Sequence, residues 1–153
     1  MGDFCKMRIA RKPDEKLSIL LVDDEEEIRG TLKMFLEMME VFDFIVEASD
    51  GSEATRKCQN QAFDLIVTDL MMPNVRGIEF IQNFRAQEKR QRKEVATPII
   101  ILSANVTGEE VKKAIHFGIK NVVTKPCTAE EFIQKITEVL VKHCRNKIKV
   151  FKE

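Results

Sequence analysis

The chain has 153 residues, 44% apolar and 33% charged, the size and make-up of one globular domain. Lys plus Arg balances Asp plus Glu at 25 each, which excludes a global electrostatic pull towards nucleic acid or an anionic membrane surface. No apolar run approaches the ~20 residues of a membrane span, and the opening MGDFCKMRIARKPDEK has no apolar core of a secretory signal.

Residues 1–16 read as a short, loosely held extension. Leu17–Val22 is an apolar run expected to form a buried strand, and 25–39 follows with Ile28, Leu32, Phe35, Leu36 and Met39 on one helical face. Asp23 or Asp24 is expected to cap that helix, with Glu25, Glu26 and Glu27 suiting the positive end of its dipole. Phe44–Ala48 is a second strand, 52–59 a helix and Leu65–Thr68 a third strand, ended by Asp69, two methionines and Pro73. Residues 76–93 carry Ile78, Phe80, Ile81 and Phe84 at helical spacing, and end in a charged stretch holding Lys89, Arg90, Arg92 and Lys93. That stretch reads as a solvated helix end, with recognition of an acidic partner as the alternative.

Pro98–Ser103 is the fourth strand, and its four consecutive apolar residues require burial on both faces. A helix over 107–117 ends at Gly118; Asn121–Thr124 is a fifth strand; Thr128 caps a last helix with Phe132, Ile133, Ile136, Val139 and Leu140 inward. The basic remainder, 144–153, is expected to fray. Five apolar strands alternating with five amphipathic helices define an α/β protein with a doubly wound parallel sheet covered on both faces, over 17–143. The four cysteines, Cys5, Cys58, Cys127 and Cys144, have neither metal-ligand nor redox spacing. They are expected to be free thiols in a reducing cytoplasm.

In such a sheet, ligands bind beyond the carboxyl ends of the strands. Asp23 and Asp24 follow the first strand, Asp69 the third, Ser103 and Ala104 the fourth, and Lys125 with Pro126 the fifth. Singly, each has an ordinary reading: a helix cap, a turn residue, a hydroxyl bonded to nearby backbone, a solvated lysine. Together they put three carboxylates, a hydroxyl and an ammonium on one edge. Carboxylates so gathered repel unless a cation joins them, and Mg²⁺ is commonly held by one or two carboxylates with water and phosphate. The chemistry is that of a phosphoryl-binding pocket, with Asp69 able to form an aspartyl phosphate.

The stretches ILLVDDEEEIR, DLIVTDLMMPNVRGIEF, PIIILSA and VVTKPCT, in this order and spacing, closely resemble the receiver domain of two-component response regulators. The resemblance implies the flavodoxin-like five-stranded receiver fold and a signalling role for a chain that is not an enzyme. Asp69 would accept a phosphoryl group from a sensor histidine kinase or a histidine phosphotransfer protein. Asp24, Asp69 and the Met71 backbone carbonyl would hold Mg²⁺ directly, and Asp23 largely through water. Ser103 and Lys125 would hold the phosphoryl group, Ser103 and Ala104 would shift on its arrival, and the Lys125–Pro126 peptide would be cis.

Three residues depart from that family pattern. Val122 stands where receivers usually carry a switching aromatic, so a muted or differently built output face is expected. Arg76 stands where an acidic residue often precedes the glycine. Met71, two past the phosphoacceptor, is apolar and is expected to slow hydrolysis. Too few residues follow Leu140 for a DNA-binding module, so the sequence reads as a single-domain regulator that switches contacts with a downstream protein or relays the phosphoryl group. The rival readings are a Mg²⁺-dependent phosphohydrolase with Asp69 as nucleophile and a scaffold independent of phosphorylation. The first lacks the second acid that haloacid dehalogenase-type phosphatases carry where Met71 stands.

Overall fold

Strands rich in Ile, Leu and Val with no polar interruption have nowhere to go but the interior of a layered structure. The computed structural model describes residues 7–72 and 75–152 and shows that outcome. In chain order its elements are β1 (Met7–Arg11), β2 (Ser18–Val22), α1 (Glu26–Met38), β3 (Phe44–Ala48), α2 (Gly51–Asn60), β4 (Leu65–Asp69), α3 (Gly77–Arg90), β5 (Ile99–Ser103), α4 (Glu109–His116), β6 (Asn121–Thr124), α5 (Ala129–His143) and β7 (Ile148–Lys152). Cys5 and Pro73 lie outside the described residues.

The central sheet is parallel, with strand order β3-β2-β4-β5-β6. The chain leaves β2 in one direction to form β3, then returns to the other side of β2 as β4. That reversal places a crevice at the carboxyl ends of β2 and β4. Strand residues alternate between the two faces. Ile19, Leu21, Leu65, Val67, Ile100 and Leu102 pack with Leu32 and Leu36 of α1 and Phe132, Ile136, Val139 and Leu140 of α5. Leu20, Val22, Ile66, Ile99 and Ile101 pack with Ala54 of α2, Ile78, Phe80 and Ile81 of α3, and Val111 and Ala114 of α4. All five residues of β4 and all five of β5 are buried, as double-sided coverage requires.

The two chain ends differ from expectation. Instead of a loose extension and a fraying tail, β1 and β7 form an antiparallel ribbon, with Ile9 opposite Val150 and Arg11 opposite Ile148. Ile148 is buried, and Ile9 and Val150 pack on the core face that α1 and α5 cover. Arg11 pairs with Asp43 at 3.1 Å and Lys147, from the basic stretch expected to fray, pairs with Asp64 at 2.9 Å, so both ends of the ribbon are held down by ion pairs.

The charged end of α3 also differs. The helix stops at Arg90, and Arg92 takes a positive φ of 54°, which turns the chain back. Lys93 then reaches Glu88 at 3.5 Å and donates to the Thr97 hydroxyl. Glu88 is buried, bonded by Arg85 and by the Thr97 backbone N–H at 2.8 Å. Burial pushes its carboxyl up, but the Thr97 bond and the Arg85 hydrogen bond and charge outweigh burial and hold it below the usual carboxylate range. Lys89, Arg90 and Arg92 remain exposed.

Candidate functional site

β2 ends by carrying Asp23 into the crevice fully buried. The backbone at Asp23 is held from both sides: its N–H donates to the Ala48 carbonyl at 3.1 Å, and its own carbonyl accepts from Arg29 at 2.7 Å. Its Oδ1 accepts from the Glu25 N–H at 2.9 Å. Neither Asp23 nor Asp24 is the helix cap expected of the pair. The cap position falls to Glu25, which makes no side-chain cap bond, because Asp23 is turned inward and Asp24 faces out.

β4 ends at Asp69, 5% exposed. Its Oδ1 accepts from the Met71 N–H at 3.0 Å and its backbone carbonyl from the Thr68 hydroxyl at 2.9 Å. From the far side of the sheet, Lys125 donates to Asp69 Oδ2 at 2.8 Å and to Asp23 Oδ2 at 2.9 Å. The backbone that aims it is fixed by a bond from Lys125 N–H to the Ser103 carbonyl at 2.8 Å, and the Lys125–Pro126 peptide is cis. Burial alone would lower the pKa of this ammonium. The hydrogen bonds and charges of Asp23 and Asp69 prevail and hold it above the ordinary lysine value.

Asp23, Asp24, Glu25 and Asp69 offer carboxylate oxygens all within 4.8 Å of one another. A set of hard oxygen donors with one ammonium against four negative charges fits a hard divalent cation. Ser103 sits at the end of β5, its hydroxyl donating to the Asn105 carbonyl and accepting from the Asn105 N–H, both at 3.0 Å. Ala104 is exposed beside it. Val122, on β6, is half-buried against the core face of α2, α3 and α4, and pairs in register with Ile101. Asp69, Met71, Ala104, Lys125 and Pro126 line a cleft of about 580 Å³ that runs from the acidic cluster to Ile28, Leu32 and Phe35 of α1. The expected residues thus gather at one edge, with Val122 set apart in the sheet.

Three participants carry little signal in the sequence. Glu25 reads from sequence as a partner of the helix dipole, and its place beside the acidic pair is the available signal. Asn105 holds Ser103, and a polar residue two past the strand end was the only sign of it. Gly77 has no room for a side chain, because a β-carbon there would collide with the Asp69 carbonyl oxygen. The glycine was visible; the contact was not. Among the described residues no helix is long and apolar enough to cross a membrane, and Cys58, Cys127 and Cys144 are free.

Comparison with known proteins shows the family and the fold. The family model for the response regulator receiver domain matches residues 19–137. ResD, a transcriptional regulatory protein of Bacillus subtilis, is 40% identical over 124 residues, covering 80% of this chain and 47% of its own length. The chain therefore spans about half the length of that relative. The receiver domain of the Pseudomonas aeruginosa sensor histidine kinase PA1611, solved with a magnesium ion in its active-site cleft, superposes with a TM-score of 0.67 at 26% identity over 81% of this chain and 96% of that one. The receiver domain of Saccharomyces cerevisiae Ssk1, solved with the histidine phosphotransfer protein Ypd1, gives 0.72 at 26% identity over 89% and 94%. The gathered carboxylates, the lysine that spans them, the parallel sheet and the matched family pattern have one reading: this chain belongs to the response regulator receiver domain family.

Proposed function

We propose that the protein is a phosphoacceptor of two-component signalling in the cytoplasm. Asp69 takes a phosphoryl group from a phosphohistidine on a histidine kinase or histidine phosphotransfer protein. An Asp69 carboxylate oxygen bonds to phosphorus as the phosphorus–nitrogen bond breaks; that bond's electron pair stays on the ring nitrogen, and the donor ring, protonated on its other nitrogen, is left as neutral imidazole. The observation that carries this reading is the position of Asp69. It ends a fully buried strand, with its carboxylate held between the Met71 N–H and the Lys125 ammonium, at the floor of an open cleft. Rigid placement of the attacking oxygen is what in-line transfer needs.

Asp24, Asp69 and the Met71 backbone carbonyl would hold Mg²⁺, with Asp23 acting largely through water; the ion would neutralise charge on the transferring oxygens. Lys125 would pair with the phosphoryl group, and Ser103 would leave Asn105 to donate to it. The magnesium in the PA1611 cleft and the seating of Ypd1 on the Ssk1 receiver support the cation and the class of donor. The apolar extension of the cleft along Ile28, Leu32 and Phe35 suits a protein donor. Movement at Ser103 and Ala104 would alter the face of α4, β6 and α5. There Val122 cannot swing as a ring does, so the change read by a downstream protein is small, or the phosphoryl group is passed on.

Incubation with acetyl phosphate and Mg²⁺ tests the proposal. Labelling should reach one phosphoryl group per chain and vanish in Asp69→Asn. Multiple turnover of a phosphoester would favour a phosphohydrolase, and absence of labelling a phosphorylation-independent scaffold.

A further inference from the structure

Glu25 is the carboxylate that the acidic pair and Asp69 leave unexplained. Its oxygen belongs to the same 4.8 Å grouping as those of Asp23, Asp24 and Asp69, and its Oε1 lies 3.7 Å from the Lys125 ammonium. Asp23 and Asp69 are locked, each by Lys125 and by a backbone N–H. Glu25 is not: its side chain is 59% exposed, makes no cap bond, and stands at the end of α1, where it can turn over the pocket.

We propose that Glu25 is a fourth carboxylate for a divalent cation in this pocket, tightening its binding, and more for Ca²⁺ than for Mg²⁺. This rests on reading the pocket as a divalent-cation site. Four carboxylates against one ammonium leave a formal charge of −3, which one divalent ion reduces only to −1. With Glu25 neutral, the same ion would bring the pocket to zero. The extra charge therefore favours cation uptake. Mg²⁺ keeps most of its water and takes one or two carboxylates, whereas Ca²⁺ accepts about six to eight oxygens in flexible geometry, so a free carboxylate helps it more. Lys125 has three donors, two of them used by Asp23 and Asp69. Glu25 Oε1, at 3.7 Å, is an ion-pair neighbour beyond hydrogen-bond reach of that ammonium, so the third donor is left for an incoming phosphoryl oxygen.

The test is isothermal titration calorimetry of the full chain with MgCl₂ and with CaCl₂, with no phosphoryl donor present. Glu25→Gln should weaken Mg²⁺ binding about three- to tenfold and Ca²⁺ binding by more. Glu27→Gln removes a charge from the same cleft but from outside the carboxylate grouping, and should change either by less than about twofold. Equal effects of Glu25→Gln and Glu27→Gln would reduce Glu25 to a share of the general field and overturn the proposal. So would a Glu25→Gln effect no larger for Ca²⁺ than for Mg²⁺. Asp24→Asn separates the two levels. If it abolishes binding while Glu25→Gln changes nothing, only the role of Glu25 fails; if both bind as the parent does, the pocket reading fails with it.

Discussion

Gly77 lies against Asp69 so closely that a β-carbon built on it would overlap the Asp69 carbonyl oxygen and stand 2.7 Å from the Leu70 Cα. No positive φ is involved at this glycine; what excludes a side chain is space. The Gly77 N–H also donates to the Leu70 carbonyl at 3.1 Å, so the start of α3 is clamped onto the end of β4. Gly77→Ala must push the backbone under Asp69. It should destabilise the fold by about 1–3 kcal/mol, the usual cost of overpacking, and slow labelling at Asp69. Urea denaturation and acetyl phosphate labelling of the same preparation check both. A stable variant labelled at the parent rate would show that the strand end yields without consequence.

Lys125 is the only cation bonded to the Asp23 and Asp69 carboxylates among the described residues. Lys125→Met leaves the fully buried Asp23 without its counter-charge, an arrangement that costs about 3 kcal/mol in buried pairs. A divalent cation should recover part of that loss. MgCl₂ is therefore expected to raise the melting temperature of Lys125→Met more than that of the parent. Equal shifts would mean that Lys125 and the cation do not share a task.

Glu88 gives the fold a defined acid sensitivity. Its folded pKa lies below the ordinary 4.5, so its contribution is fully present above that value and is lost as pH falls through the folded pKa. At pH 7, Glu88→Gln should cost about 1–3 kcal/mol, because Arg85 and Lys93 lose a charged acceptor. Denaturant unfolding at pH 7 and at pH 3.5 should show the gap between parent and variant narrowing in acid. A gap independent of pH would assign the loss to packing.

The central sheet is legible in the sequence because each strand carries its own burial signal; Phe44–Ala48 and Asn121–Thr124 fall where expected to the residue, and the other three strands differ by one residue at one end. The pocket was legible for a different reason. Parallel strands bring their carboxyl ends to one edge, so Asp23, Asp69, Ser103 and Lys125 could be gathered without knowing any distance. The ribbon was not legible. MRIAR and IKVFK are no shorter than the central strands, but each carries two basic residues that break the apolar run, and each becomes a strand only against the other, from the opposite end of the chain. Glu25 was missed because the helix dipole already explained it. Lys93 was read as solvated because nothing in the sequence announced the backward turn at Arg92 that points it at Glu88.

The ribbon should matter for stability and not for chemistry. Ile148 is 2% exposed and packs with the α1 and α5 face of the core, at the opposite end of the strands from Asp69. Ile148→Ala should cost about 2–4 kcal/mol. Labelling at Asp69 should keep its parent rate at temperatures where both forms are folded. A labelling defect in the folded variant would mean that the ribbon reaches the site through the sheet.

Ser103 and Asn105 form the contact that phosphorylation should break. The Ser103 hydroxyl now both donates to and accepts from the Asn105 backbone, and it cannot also donate to a phosphoryl oxygen. Once it leaves, the Asn105 N–H loses its acceptor in an exposed loop and should exchange with solvent faster. Hydrogen exchange with and without beryllofluoride is expected to show faster exchange over about residues 104–108. The change should extend weakly to β6, because Val122 is half-buried and lacks a ring to swing. In Ser103→Ala the loop should exchange fast from the start and respond little to beryllofluoride. A response of parent size in Ser103→Ala would place the moving contact elsewhere than on this hydroxyl.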